Sequence, residues 1–104
     1  MMLSVGENMV YKIKTKILKD NNEQLVLILY YFPNKKTLRE GRIVEYEAYE
    51  FHLLSINKKE RKMKIKEIKE YTPPLSSFKI AKDFEKFGVK FGDVTELLME
   101  YLAK

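Results

Sequence analysis

Eight consecutive apolar residues, from Leu25 to Phe32, constrain the fold of this chain more than any other feature. The run is too short to span a membrane, since a spanning helix needs about 20 apolar residues. A short apolar run between turn-forming residues is typical of a strand that is buried on both faces. The sequence therefore predicts a strand that is covered by the core on one side and by helices or a partner on the other.

A second strand precedes this run. Tyr11, Ile13, Thr15 and Ile17 alternate with lysines, which places these four residues on one face of a strand and the lysines on the other. The Asp-Asn-Asn sequence at positions 20–22 favours a turn, because Asp and Asn side chains bond their own backbone and tolerate left-handed conformations. The two strands are therefore predicted to form a hairpin.

A polar loop is predicted next, opening at Pro33 and closing at Gly41. Residues 42–57 then form a long strand in which the apolar residues change parity from one face to the other. A change of parity by one residue is typical of a β-bulge, which bends a strand and increases its twist. We therefore expect a strongly curled sheet.

The last strand of the sheet is predicted to return after a turn at residues 57–60. It covers residues 61–71, and its parity also changes before Ile68. Pro73 and Pro74 end the sheet, because proline has no backbone N–H to donate to a strand ladder.

Two helices follow the sheet. Ser76 or Ser77 caps a helix over residues 78–87, where phenylalanines and Ala81 recur at helical spacing. Gly88 ends this helix, since glycine is favoured just beyond helix ends.

The final helix is predicted to begin with Asp93 as its N-cap and Glu96 as the second half of a capping box. Four to five strands followed by two C-terminal helices indicate an α+β fold, with a small curled antiparallel sheet or partial barrel. The 104 residues suit a single domain. Residues 1–9 are expected to be poorly ordered, residues 10–72 to form the β part and residues 76–104 the helical part.

Composition excludes several kinds of site. The chain has no cysteine and one histidine, His52, which excludes disulfides, thiolate zinc sites, iron–sulfur clusters and histidine-rich metal sites. The four glycines are isolated, so there is no glycine-rich phosphate loop. We therefore expect neither a cofactor nor a metal. Abundant Lys and Glu without Trp or Cys is typical of hyperthermophiles, and we expect an archaeal or viral source.

Catalysis is not expected. His52 lies within a strand and is predicted to have a structural or surface role. Glu45 and Glu47 share a strand face, and with Glu50 they are the carboxylates that a small enzyme would use. Partnership of these acids with nearby lysines is the simpler interpretation. A basic segment followed by a long apolar one is missing from the N-terminus, so a cytoplasmic location without membrane association is expected.

The lysines favour nucleic-acid binding. The net charge is +5, and residues 58–69 hold seven basic and two acidic residues. If the two lysine strands lie close in the sheet, their lysines form one stripe that neutralises phosphates of DNA or RNA, with tyrosines available to stack on bases. The predicted site consists of Lys12, Lys14, Lys16, Lys62, Lys64, Lys66, Tyr11, Tyr46 and Tyr71. The alternative is a solvated lysine surface.

A protein–protein interaction module is the second hypothesis: a subunit of a larger complex, or a small viral inhibitor of a host machine. The strand between Leu25 and Phe32 and the aromatic C-terminal helices supply more apolar surface than one small core buries. A protein partner or a homo-oligomer would cover it. Residues 24–31 also match the sliding-clamp-binding pattern as a string, but a core strand is the simpler interpretation.

Residues 38–71 carry a family resemblance. The sequence Leu-Arg-Glu-Gly-Arg-Ile-Val at positions 38–44, with the basic strand that follows, resembles OB-fold nucleic-acid-binding domains. The resemblance implies a small barrel that binds single strands. An SH3-like barrel or a plain antiparallel sheet backed by helices fits the same pattern.

Overall fold

The computed structural model describes residues 12–102, including the backbone but not the side chain of Lys12. Four antiparallel strands form one open sheet in the order β1-β2-β3-β4, so every strand pairs with its neighbour in sequence. The strands are β1 (Lys12–Asp20), β2 (Glu23–Arg39), β3 (Arg42–Asn57) and β4 (Lys62–Tyr71). The predicted α+β class, with two helices after a curled antiparallel sheet, is confirmed.

Helix α1 (Ser77–Phe84) follows the sheet and continues into a short 3-10 helix (Glu85–Phe87). The Ser76 hydroxyl accepts a hydrogen bond from the Lys79 N–H at 3.2 Å, which satisfies one free donor of the first turn. Gly88 ends the segment with a φ of 90°, a left-handed conformation that glycine adopts without steric cost. The N-cap at Ser76 and the end of the segment at Gly88 both agree with the prediction.

Helix α2 (Phe91–Leu102) begins three residues earlier than an N-cap at Asp93 predicts. Asp93 does not precede the helix as its N-cap but lies within the first turn, where its carboxylate accepts from the Lys90 N–H at 2.9 Å. This is the reciprocal half of a capping interaction, in which an acid of the first turn bonds back to the residue before the helix. An Asp can be either the N-cap or an acid of the first turn, so the local sequence did not define the first residue of α2.

The core lies between the two helices and one face of the sheet, called here the covered face. Leu27 and Leu29 of β2 and Phe51 and Leu53 of β3 are fully buried beneath the helices. The helices contribute the remaining members of the same cluster: Ile80, Ala81, Phe84, Val89, Val94, Leu97 and Tyr101. Within residues 12–102, this cluster lies between one layer of helices and one face of the sheet, while Val26, Phe32 and Ala48 are buried outside it.

The predicted loop between Pro33 and Gly41 is wrong. β2 continues through it to Arg39, and Glu40 and Gly41 form a two-residue turn with φ angles of 52° and 78°. Positive φ at both turn positions matches the twist of a tight hairpin. A register shift between Phe32 and Lys35 accommodates the proline by leaving it unpaired. Within residues 12–102, β2 and β3 extend beyond their neighbours as a two-stranded arm over residues 35–46.

The pairing of β3 is irregular between Leu53 and Leu54, where the sequence predicted a change of parity, but the extra residues belong to the neighbouring strands and not to β3. In the pairing of β2 with β3, the register shifts between Phe32 and Lys35 of β2. In the pairing of β4 with β3, Lys66 of β4 is the extra residue. The second shift confirms the predicted change of parity before Ile68. β3 is apolar on both faces over part of its length, and this produced the apparent parity change in the sequence.

Candidate interaction surface on the open sheet face

The second face of the sheet, called here the open sheet face, is apolar across all four strands. Directly opposite residues in paired strands share a face. One row of such residues consists of Ile17, Val26, Leu54 and Ile65, so it is aliphatic from one sheet edge to the other. The next row consists of Thr15, Ile28, His52 and Ile68.

Much of this apolar surface is in contact with water. Ile17 is 52% exposed, Ile65 is 56% exposed and Met63, on the same face, is 66% exposed. Val26 is buried, yet it does not belong to the core cluster beneath the helices. Both described helices pack against the covered face. Within residues 12–102, therefore, no element lies across the open sheet face.

A polar cluster borders the open sheet face near the base of the β2–β3 arm. The Lys35 ammonium donates to Glu50 and, at 2.6 Å, to Glu70. Burial alone would lower the pKa of Lys35, but the two carboxylates outweigh it and raise that pKa. Burial would likewise raise the pKa of Glu50, but hydrogen bonds from Lys35 and His52 lower it. One ammonium lies between two carboxylates, so the Lys35, Glu50 and Glu70 group carries a net charge of −1 at the border of the face.

His52 belongs to the same cluster. Its Nε2 lies 2.8 Å from the Glu50 carboxylate, and its ring lies 4.4 Å from the ring of Tyr30. These contacts hold the imidazole against neighbours on the sheet. The described residues, 12–102, contain no group of three or more acidic or histidine side chains arranged to hold a metal ion.

The predicted carboxylate set is divided between the two faces. Glu45 approaches Lys36 at 3.7 Å, and Glu47 accepts a hydrogen bond from the Tyr31 hydroxyl. Glu50 lies on the open sheet face with Lys35. Glu45 and Glu50 therefore pair with lysines, as expected, whereas the partner of Glu47 is a tyrosine hydroxyl.

The β1 lysines lie on the covered face, beside the helices, which reverses the expected roles of the two faces of this strand. Lys14 lies opposite Leu29 and Lys16 lies opposite Leu27, and the two lysines are half-buried. Lys16 bonds Glu96 of α2, and this bond raises the pKa of Lys16. The physical reason is that a lysine stem packs on the flank of a helix while its ammonium stays in water. The side chain of Lys12 lies outside the described part.

The β4 lysines are separated from those of β1. β1 and β4 are the two edges of the sheet, three strand spacings or about 14 Å apart. The helices pack on β2 and β3 between them. The predicted continuous stripe of six lysines is therefore not formed, because it required the two lysine strands to be close. A separate β4 basic strip remains, consisting of Lys62, Lys64, Lys66 and Lys69.

The predicted stacking tyrosines are divided in the same way. Tyr71 donates a hydrogen bond to Asp83 of α1 at 2.7 Å and packs on Phe51. Burial and the neighbouring Asp83 carboxylate raise the pKa of Tyr71. Burial, followed by the effect of Glu70, raises the pKa of Tyr46. Tyr11 lies outside the described residues. Tyr71 is thus a structural residue of the sheet–helix junction.

Residues 24–31, which match the sliding-clamp pattern as a string, lie in the first half of β2 and pair with strands on both sides. Their backbone is therefore occupied within the sheet. Neither α1 nor α2, the helices described in residues 12–102, has the length and apolarity of a membrane-spanning segment.

Sequence reasoning did not identify the open sheet face as a site. Its signal was present in the apolar residues that alternate with lysines in both edge strands, such as Ile13 and Ile17 in β1 and Met63 and Ile65 in β4. Each pattern was interpreted as a half-buried strand with exposed lysines. The fold shows that the aliphatic side of both strands belongs to the same open surface.

Comparisons with known proteins give no indication of the function of this chain. No protein-family model, no curated protein and no solved structure matches this sequence or its fold. The resemblance of residues 38–71 to OB-fold domains accordingly stays a prediction. Exposure, charge and contacts of the described residues are the basis for the function proposed below.

Proposed function

We propose that this chain is a non-enzymatic protein–protein interaction module that self-associates through the open sheet face. The observation that supports this most is the aliphatic row Ile17, Val26, Leu54 and Ile65, which crosses the whole sheet beyond the reach of the helices. Contiguous exposed apolar surface is rare on monomers and is typical of interaction sites.

The dimensions of the face support a second copy as its partner. Where all four strands pair, a strand spacing of about 4.8 Å and a rise of about 3.4 Å per residue give an area of about 450 Å². Two facing copies would remove on the order of 1,000 Å² from water, close to the lower limit for specific interfaces. The expected complex is a concentration-dependent dimer of modest affinity.

Charge supports the same partner. A symmetric dimer brings one surface against itself, so any net charge on that surface would repel its copy. The central rows of the open sheet face contain no Lys, Arg, Asp or Glu, and the Lys35, Glu50 and Glu70 group, with its net charge of −1, lies at the border. The central rows of two sheets can therefore pack face to face, as in a β-sandwich, without like-charge contact.

The test uses matched variants. Met63→Lys combined with Ile65→Lys places charge on the open sheet face, at residues that are 66% and 56% exposed. Met99→Lys combined with Leu102→Lys does the same on α2, where exposure is 69% and 73%. Sedimentation velocity over a range of concentrations should show a dimer for the native chain and the α2 variant, and a monomer for the sheet variant.

Two results would count against the proposal. If the native chain remains monomeric at the highest concentration, it does not self-associate and the proposal is wrong. Dissociation by the α2 variant, with a dimer retained in the sheet variant, would move the interface to the helical layer. Circular dichroism of each variant checks that the fold is retained.

Nucleic-acid binding is a second candidate, and a specific observation favours it. Within residues 12–102, Lys64, Lys66 and Lys69 form no ion pair, and Lys62 approaches Glu60 only at 3.9 Å. A line of free lysines along an exposed strand suits a phosphate backbone. Charged edge strands also protect a sheet from unwanted pairing, which is the competing explanation of the same residues.

Fluorescence anisotropy with single-stranded and duplex oligonucleotides separates these explanations. Binding should fall steeply between about 50 and 200 mM salt if several phosphates are contacted. It should disappear in the Lys62/Lys64/Lys66→Glu variant with the fold retained. Unchanged binding in that variant, or no binding at low salt, would leave the lysines with a protective role alone.

A further inference from the structure

A recess lies on the helical layer, between α1 and the start of α2. Its volume is about 880 Å³, within the usual range for binding sites, and it is called here the helical groove. The buried Ala81 and Val89 are among the residues that line it. The remaining apolar lining is aromatic.

Two phenylalanines in the helical groove are unusually exposed. Phe78 is 78% exposed and Phe91 is 46% exposed, although their ring centroids lie 4.9 Å apart. The two rings form a small apolar ledge that does not join the core cluster. Adjacent exposed aromatic rings are the residues that anchor binding partners in interfaces.

The rim of the helical groove is basic. Lys79, Lys82 and Lys90 line it together with one acid, Glu85. Among residues 12–102, none of these three ammonium groups takes part in an ion pair, whereas Lys16, Lys35 and other lysines of the chain do. The groove therefore combines an apolar ledge with an excess of unneutralised positive charge.

We propose that the helical groove binds an acidic peptide segment of a protein partner, with an apolar side chain placed on the Phe78–Phe91 ledge. Carboxylates of the segment would meet the three lysines, and charge complementarity of this kind directs both orientation and association rate. A nucleic acid fits less well, because each ring already has one face against the other and so offers less surface for base stacking.

The probe is a fluorescein-labelled peptide of sequence Glu-Asp-Phe-Asp-Glu-Leu-Asp, with a second peptide in which Gln and Asn replace the acids. Lys79/Lys82/Lys90→Gln should weaken binding of the acidic peptide about tenfold, the sum of three modest exposed charge pairs. Lys62/Lys64/Lys66→Gln removes the same charge from β4 and should change binding little. Phe78→Ala should also weaken binding about tenfold as loss of an anchor.

Amide shifts of the isotopically labelled native chain locate the bound peptide without any substitution, and they should change mainly within residues 76–91. Equal losses in the two lysine variants would overturn the proposal in favour of diffuse charge attraction. Tighter binding of an oligothymidylate that displaces the peptide would overturn it in favour of nucleic acid. No binding at millimolar peptide would also overturn it. Each outcome is independent of self-association through the open sheet face.

Discussion

Two adjacent leucines of β3 offer a direct measurement of how differently the two faces of the sheet are covered. Leu53 is 0% exposed beneath the helices, while Leu54, the next residue, is half-buried on the open sheet face. Replacing either by alanine removes the same atoms from the same strand. The difference between the two variants therefore reports the environment of each face and not the chemistry of the substitution.

The expected costs follow from burial. Leu53→Ala loses the transfer free energy of its methyl and methylene groups and leaves a cavity, which together cost about 3–5 kcal/mol. Leu54→Ala removes groups that are partly hydrated already, so we expect a loss of about 1 kcal/mol in the monomer. Urea unfolding at low protein concentration measures both free energies of unfolding. An unfolded Leu53→Ala chain would agree with the larger cost.

Protein concentration supplies the second half of the experiment. If a second copy covers the open sheet face, the cost of Leu54→Ala grows with concentration, because binding stabilises the folded state by mass action. The cost of Leu53→Ala stays constant. Equal costs for the two variants at the lowest concentration would refute the reasoning, since the open sheet face would then be covered within the single chain.

Three further predictions concern the turn, the helix cap and the polar cluster. Gly41→Ala should lose about 1–2 kcal/mol in thermal unfolding because its φ is 78°, whereas Gly92→Ala, within a helix and with open space around it, should lose nothing. Ser76→Ala should lose about 1 kcal/mol with the N-cap hydrogen bond, measured in the same way. Because the pKa of Glu50 is lowered in the folded protein, its stabilisation is present above the ordinary carboxyl pKa and is lost as pH falls through the folded pKa. Lys35→Met should flatten this acid limb in urea midpoints recorded against pH, and an unchanged slope would show that Lys35 does not stabilise the carboxylate.

Features that depend on neighbouring residues were predictable from the sequence. The β1–β2 hairpin, the cap at Ser76 and the stop at Gly88 all follow from local chemistry that operates within a few residues. The α+β class follows from periodicity, because a strand repeats every two residues and a helix every 3.6. These predictions needed no knowledge of what lies across the fold.

The course of the chain between Phe32 and Gly41 was less predictable. Proline ordinarily interrupts a strand, so Pro33 favoured a loop. The structure places it in a register shift and lets β2 continue to Arg39 opposite β3. Pairing with β3 therefore keeps this segment extended, and the local sequence around Pro33 does not reveal that pairing.

What the sequence by itself determined about this protein is its set of elements, their order and the two chemically different sides of each edge strand. The tertiary structure alone decided which side the helices cover. Alternation has the same period whichever face is buried, and the isoleucine side of β1 was the expected buried side. The structure instead places the lysine side beside the helices, where Lys16 bonds Glu96 of α2. Strand order, likewise, arises from pairing between distant residues, and it separates the lysines of β1 and β4 while joining their aliphatic sides into the open sheet face.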